Sequence, residues 1–230
     1  MPLLRVIGVL ALLVIVGAVW MAIVSRGFLS VSQSERLPGN FKGHVMAMEF
    51  VNHVADIEAI VGGKGHPNRD TMRKVTRIDF LWIACYALLF VAVSLLLARR
   101  SCPWAIYLAW VAGVCGVSAA VFDLSENWRI LEVLDAPEVT QQMVNNIRDA
   151  AIVKWTLVFV TMALLAVTFF GMGWRVGLIG WAFAATALMG LVGLVHKPNI
   201  GFIALPMLSG LLLLMILAIG FPQKLLGRIC

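Results

Sequence analysis

Residues 79–100 read DFLWIACYALLFVAVSLLLARR, an apolar stretch that begins at an aspartate and ends at two arginines. An apolar run of about 20 residues is long enough to cross the hydrocarbon core of a bilayer as an α-helix. Comparable runs recur throughout the 230 residues, and 61% of the chain is hydrophobic. The pattern predicts an all-α integral membrane bundle of six transmembrane helices, at approximately 3–24, 79–98, 104–123, 151–171, 176–195 and 200–220.

The basic residues predict the orientation of the chain. Four short segments beside the apolar runs carry positive charge and no acidic residue, and they hold Arg5, Arg99, Arg100, Arg175, Lys224 and Arg228. These residues account for the whole formal net charge of +6, because the rest of the chain balances its basic and acidic residues. Basic loops stay in the cytoplasm. We therefore predict a multi-pass protein of the bacterial inner (plasma) membrane, with cytoplasmic N- and C-termini and no nucleic-acid partner.

The longest connection between spans, residues 25–78, is predicted to lie outside the cytoplasm. Between residues 45 and 61 apolar side chains recur at helical spacing, while Glu49 and His53 lie on the other face. This pattern predicts an amphipathic interfacial helix at 45–61, added to the six spans on the outer face of the membrane. A further helix is predicted to begin near Pro67, which suits a first helical turn, and to continue without a break into the second span.

The connection at 124–150 is predicted to project from the outer surface as a helical hairpin. The helical pattern of the third span continues to Leu134, and the chain then turns at Asp135-Ala136-Pro137. Pro137 and Glu138 suit the first turn of the returning helix.

Ionisable residues gather at the predicted outer ends of the spans. Asp123, Glu126 and Asn127 are three and four residues apart, so they share one helix face. Lys154 lies about one turn inside the fourth span, where an unpaired charge costs roughly 2.5–3.5 kcal/mol. Lys154 therefore needs an acidic partner, and we predict Asp79 or Asp123 in that role.

Two further residues complete the predicted ligand-binding site. Tyr86 shares a helix face with Asp79 in the second span, and His196 ends the fifth span. Thr161 and Thr168 follow the lysine of the fourth span at seven-residue spacing. They predict a polar stripe that faces the protein interior rather than lipid.

The chain resembles a group of uncharacterised bacterial multi-pass membrane proteins in three features. They are Asp79 and Tyr86 in one span, the segment Asp123-Leu124-Ser125-Glu126-Asn127, and Lys154 in the next span. The match covers residues 45–160 approximately, and its motifs are short. The resemblance implies that these residues work together, and it implies no activity.

Metal and cofactor motifs are not found in the sequence. Glu49 and His53 are four residues apart on the predicted interfacial helix, a spacing that suits chelation. His44 falls on the opposite side of any continuous helix, so it cannot add a third ligand. We predict no metal and no cofactor. Glu49 and His53 are the weak candidates for metal ligands.

The favoured function is a polar site, open to the outer leaflet, that binds or modifies a lipid headgroup or a small amphiphile, with membrane lipids as partners. Arg69, Arg73 and Arg77 recur every four residues and are predicted to attract anionic groups. A paired acid and amine can transfer protons, so binding and catalysis both stay open. Three alternatives also remain: a non-catalytic subunit of a larger membrane complex or homo-oligomer, a transporter, and a polar cluster that only stabilises the fold.

Overall fold

A computed structural model describes residues 2–29, 37–99, 103–170, 174–195 and 204–221. Within those ranges the regular structure is entirely helical, which confirms the all-α prediction. The helices are α1 (Pro2–Ser25), α2 (His44–Glu49), α3 (Val54–Val61), α4 (Pro67–Ala98), α5 (Pro103–Asp135), α6 (Gln141–Phe170), α7 (Trp174–Val195) and α8 (Ala204–Gly220).

Five of the described helices are long and apolar enough to cross a membrane, namely α1, α4, α5, α6 and, from Val176 onward, α7. The chain therefore has the architecture of a multi-pass membrane protein. The predicted sixth span, 200–220, is described only from residue 204. Its 17-residue helix α8 is about 26 Å long, which is shorter than the roughly 30 Å hydrocarbon core.

The six longest helices close a ring in the order α1, α4, α5, α6, α7, α8, in which each helix packs against two neighbours. Small residues bring α4 and α5 together, because a Cβ added to Gly116 would lie 2.6 Å from the Phe90 ring. Buried apolar side chains such as Ile83, Leu165 and Phe183 fill much of the interior. The interior of this ring is where buried polar side chains can meet.

The predicted single helix at 45–61 is wrong in its continuity, because the structure has two short helices, α2 and α3. The break follows Glu49, where the Phe50 amide closes α2 on the Met46 carbonyl. The amides of Asn52 and His53 then donate to Asp56 Oδ2, over 3.2 and 2.9 Å. The Asp56 carboxylate accepts from these amides just before α3 begins, so α3 starts as a separate helix rather than as a continuation of α2.

α2 and α3 pack on protein through their apolar faces. Phe50, Ile57 and Val61 join a second buried core with residues from the end of α5 and the start of α6, including Ile130 and Ile147. We call this end of the ring the capped end. It is the end at which the predicted polar residues lie.

The uninterrupted α4 and the hairpin of α5 and α6 agree with the sequence. α4 begins at Pro67, and His66 Nδ1 accepts the Asn68 amide at its start. α5 ends at Asp135, as expected from the turn that follows. The predicted start of the returning helix at Pro137 and Glu138 is wrong, because α6 begins at Gln141 after Thr140 Oγ1 accepts the Met143 amide over 3.4 Å.

Candidate functional site

Lys154 is the centre of a buried ionic cluster at the capped end. Its Nζ donates to Asp123 Oδ1 over 3.1 Å. The same nitrogen lies 2.7 Å from Glu126 Oε2 and 3.2 Å from Glu49 Oε2. At most 8% of any of these four side chains is exposed. Three carboxylates from α2 and α5 therefore share one amine on α6.

A second layer of hydrogen bonds holds the carboxylates in place. Tyr86 donates its hydroxyl to Asp123 Oδ2 over 2.8 Å. Trp155 donates its indole N–H to Glu49 Oε2 over 2.7 Å. Asp123 accepts hydrogen bonds from both the Lys154 amine and the Tyr86 hydroxyl. Glu49 accepts one from Trp155 and also forms an ion pair with Lys154, so each carboxylate is held from two sides.

Asp79 joins this arrangement through Asn127 rather than through the lysine. Asn127 Nδ2 donates to Asp79 Oδ2 over 2.8 Å. The helical offset of four residues between Asp123 and Asn127 places both side chains on the α4-facing side of α5. Asp79 and Tyr86, seven residues apart on α4, meet them there.

Glu126 differs from the other acids of the cluster. It is completely buried, and neither of its carboxylate oxygens makes a hydrogen bond within the described structure. The 2.7 Å approach of Lys154 is a charge contact whose angles do not fit a hydrogen bond. Among the described contacts, Glu126 therefore has the ion pair with Lys154 and apolar packing but no hydrogen bond.

The charges of the cluster do not balance by formal count. Lys154 supplies one positive charge, whereas Glu49, Asp79, Asp123 and Glu126 can supply four negative ones. Excess negative charge is costly in a buried setting, so protons or a bound cation must compensate it.

Glu49 lies on α2, outside the helices that can cross a membrane. Burial raises the pKa of its carboxyl, the charge of Lys154 opposes that rise, and the neighbouring Asp123 adds to it. The hydrogen bond from Trp155 also lowers the pKa. Burial is the largest of these effects, so protonation of Glu49 is favoured relative to a free glutamate.

A cavity of about 230 Å³ lies inside the ring and reaches this cluster. Its polar end is lined by Glu49, Asp79, Tyr86, Asp123, Asn127 and Lys154. Its remaining walls are mainly apolar side chains of α1, α4, α6 and α8, among them Val14, Leu89, Val158 and Leu211. The cavity therefore joins a charged end to an apolar interior.

The structure brings together six of the seven predicted ligand-binding residues: Asp79, Tyr86, Asp123, Glu126, Asn127 and Lys154. The seventh, His196, lies outside the described residues. Of the two acids predicted to pair with Lys154, Asp123 makes the contact and Asp79 does not. Glu126 contacts the lysine but does not line the cavity.

Glu49 is a cluster member that the sequence analysis placed elsewhere, on the exposed face of an interfacial helix. Its spacing from Val45 and Met46, four and three residues earlier, is the signal that could have found it. All three residues line the cavity from one face of α2. The prediction missed this face because it continued one helix through the break after Glu49 and so placed Glu49 on the polar side.

The candidate metal pair is not formed. Glu49 ends α2 and points into the buried cluster, whereas His53 is exposed and precedes α3. The two residues therefore do not share the helix face that chelation requires. Within the described residues, no group of three or more histidine, cysteine, aspartate or glutamate side chains has the arrangement of a metal site.

The predicted anion-attracting stripe is also not formed, because two of its arginines are used within the fold. Arg69 is buried and donates to the carbonyls of Gly62 and Leu134, each over 3.1 Å. Arg73 pairs with Asp135 at 2.6 Å. Only Arg77 of the three is exposed without a described bond. The arginines mainly join α4 to the ends of α3 and α5.

Thr161 and Thr168 face the protein interior, as the sequence predicts, and both are fully buried. Each hydroxyl donates to the carbonyl four residues earlier in α6, over 2.8 Å. Their hydrogen-bonding capacity is therefore largely used within their own helix.

Comparison with known proteins gives no relative to reason from. No protein-family model, curated protein or solved structure matches the chain.

Proposed function

We propose that this chain is a membrane protein that binds a small amphiphile inside its helical ring, with the polar head of the ligand at the Lys154 cluster and its apolar part between the helices. The observation that carries this proposal is the cavity inside the ring, which joins the ionisable side chains to apolar walls. Ligand sites are typically apolar pockets with a few convergent polar groups.

The composition of the apolar walls supports a flexible ligand. Five methionines line the cavity, from four of the long helices and α2: Met21, Met46, Met72, Met162 and Met207. Methionine is unbranched and polarisable, so it adapts to ligands of irregular shape. A wall of this kind suits an alkyl chain better than a rigid polar solute.

The proposal includes a location and a topology. We place the protein in the bacterial inner membrane, with six spans including α8, both termini in the cytoplasm and the capped end at the outer leaflet. The support comes from the basic segments between the apolar runs, because such segments stay in the cytoplasm. In this placement the cavity is within reach of membrane lipids, which are the proposed partners.

Two alternative functions receive less support from the contacts. A transport path would need available polar groups along the interior, but the hydroxyls of Thr161 and Thr168 bond to their own helix. Docking in a larger complex would need free contact faces, but Gly116 packs against Phe90 within the chain, and residues of the α5–α6 hairpin share a buried core with α2 and α3. Modification of a bound amphiphile would use the same amine and carboxylates as proton donors and acceptors.

The test measures saturable binding of octan-1-ol, a neutral amphiphile, by isothermal titration of the protein in phosphatidylcholine nanodiscs, with empty nanodiscs as reference. Val158→Trp adds bulk to a residue that lines the cavity. Val160→Trp is the matched control on the same helix, because Val160 is exposed and does not line the cavity.

We expect saturable binding to the wild type and to Val160→Trp, and about tenfold weaker binding to Val158→Trp. Equal affinities for the two variants would contradict the proposed location. No saturable binding beyond that of empty nanodiscs would contradict the proposed function.

A further inference from the structure

We propose that the occupant of the cavity is a cationic amphiphile, an alkylammonium whose positive head binds next to Asp79. This inference rests on the proposed function and adds the charge of the ligand to it. It excludes the anionic headgroups that the arginine stripe suggested.

The charges that line the cavity favour a cation. Glu49, Asp79 and Asp123 line it, and Lys154 is the one basic side chain among the described lining residues. Glu126 lies behind the lysine and adds negative charge without a hydrogen bond to either oxygen. A cation that enters the cavity can therefore take the place of the protons that otherwise balance these carboxyl groups, whereas an anion adds negative charge.

Lys154 is not free to bind an anionic head. Its nitrogen donates a hydrogen bond to Asp123, and its close contacts with Glu49 and Glu126 are ion pairs. Three carboxylate groups already lie within 3.2 Å of the Lys154 nitrogen, those of Glu49, Asp123 and Glu126. A phosphate or carboxylate ligand would have to displace one of them.

Asp79 is the acid available to a ligand. Its described hydrogen bond comes from the neutral amide of Asn127, and among the described residues no basic side chain forms an ion pair with it. Asp79 is half-buried and lines the cavity, so its carboxyl group borders the space that a ligand would fill. A positive head there would gain a desolvated charge partner.

Aromatic rings lie beside Asp79 on the same face of α4. Trp82 and Tyr86 line the cavity, with ring centroids 5.0 Å apart in an edge-to-face arrangement. The indole N–H of Trp82 donates to the Val14 carbonyl over 2.8 Å, which fixes the ring. Aromatic faces attract ammonium groups, so a carboxylate flanked by fixed rings is suited to a cation.

The size of the cavity sets the size of the ligand. The cavity of about 230 Å³ is larger than the roughly 150 Å³ apolar cavity that can hold benzene. It therefore has room for a single alkyl chain of moderate length. Octylammonium is therefore the probe, and octanoate is its counterpart of opposite charge and equal chain length.

The experiment titrates octylammonium, octan-1-ol and octanoate into the protein in phosphatidylcholine nanodiscs at neutral pH and fixed ionic strength, each corrected for empty nanodiscs. Asp79→Asn keeps an acceptor for Asn127 and removes the charge. Glu132→Gln is the matched control, because Glu132 is an exposed acid on α5 that does not line the cavity.

We expect octylammonium to bind about ten times more tightly than octan-1-ol, and octanoate to bind more weakly than octan-1-ol. Asp79→Asn should reduce octylammonium affinity about tenfold and leave octan-1-ol affinity within about twofold. Glu132→Gln should change neither. If Asp79→Asn does not bind octan-1-ol, the variant is misfolded and the wild-type order of affinities decides.

Octan-1-ol binding without a preference for octylammonium would overturn the charge assignment and leave the proposed function standing. Octanoate binding as tightly as octylammonium would also overturn the charge assignment and leave the proposed function standing. Absence of saturable binding by all three probes would overturn both proposals.

Discussion

Replacing Lys154 by methionine removes the amine that Glu49, Asp123 and Glu126 share. Methionine has a similar length and no charge, so the change isolates the ionic contacts from packing. All three carboxylates would then be buried without their cation, because Lys154 is the only described basic side chain that pairs with them.

The expected loss follows from these contacts. At about 3 Å and an effective dielectric constant near 20, each ion pair has a gross attraction of about 5.5 kcal/mol. The net loss is smaller, because the variant no longer desolvates an ammonium and its carboxylates can take up protons. Breaking a buried pair by removing one partner typically costs about 3–5 kcal/mol. We expect Lys154→Met to lower the free energy of unfolding by that amount.

The assay is reversible unfolding in mixed micelles of increasing SDS content, followed by tryptophan fluorescence. Arg148→Met is the control on the same helix, because its pair with Asp149 is exposed and 3.4 Å long. It should change the free energy of unfolding by less than about 1 kcal/mol. Glu126→Gln should also change it by less than about 1 kcal/mol, since Lys154 keeps two carboxylates.

Equal losses for Lys154→Met and Arg148→Met would refute the assignment of Lys154 as the buried centre of charge. A large loss for Glu126→Gln with a small loss for Lys154→Met would also refute it, since the carboxylate rather than the amine would then be the group that needs its partner.

Three further changes test other contacts in the same unfolding assay. Burial raises the pKa of Glu49, so this carboxyl lowers the stability of the folded wild type as pH rises above the pKa of the unfolded chain. The stability of Glu49→Gln relative to wild type should therefore increase as pH rises above about 4.5, and a difference that does not change with pH would contradict this. Gly116→Ala places a Cβ 2.6 Å from the Phe90 ring and should lower the free energy of unfolding by about 1–3 kcal/mol. Gly177→Ala is the control, because the nearest atom to its added Cβ is 4.0 Å away, and it should lower that free energy by less than about 0.5 kcal/mol. Equal effects of the two changes would contradict the close packing of α4 and α5. Arg69→Gln removes two charged hydrogen bonds to backbone carbonyls and should cost about 2 kcal/mol, and an unchanged midpoint would show that the bonds contribute nothing.

Local patterns were sufficient to predict several features of the fold. Pro67 marks the start of α4, and the turn at Asp135-Ala136-Pro137 follows the end of α5. The need of Lys154 for an acid came from the cost of a charge in hydrocarbon, and the structure supplies Asp123. These inferences succeed because helix starts, helix ends and burial costs depend on neighbouring residues and general energetics.

The features that the sequence did not reveal depend on contacts between distant parts of the chain. Glu49 meets Lys154, which lies 105 residues later, and its spacing from Val45 and Met46 indicates its face of α2 but not this partner. Arg69 resembles a residue of an exposed basic stripe until the carbonyl of Leu134 is placed beside it by the hairpin. Asp56 lies within the helix predicted at 45–61, yet it accepts hydrogen bonds from two preceding amides in the break before α3.

The most direct measurement is an experimental density map of the protein prepared in lipid without added alkyl amines or alcohols. We predict an elongated density inside the ring, with its head within hydrogen-bonding distance of Asp79 and its tail among the methionines of the cavity wall. A cavity filled only by water, or a Lys154 side chain directed away from Asp123 and Glu126, would contradict the proposed site.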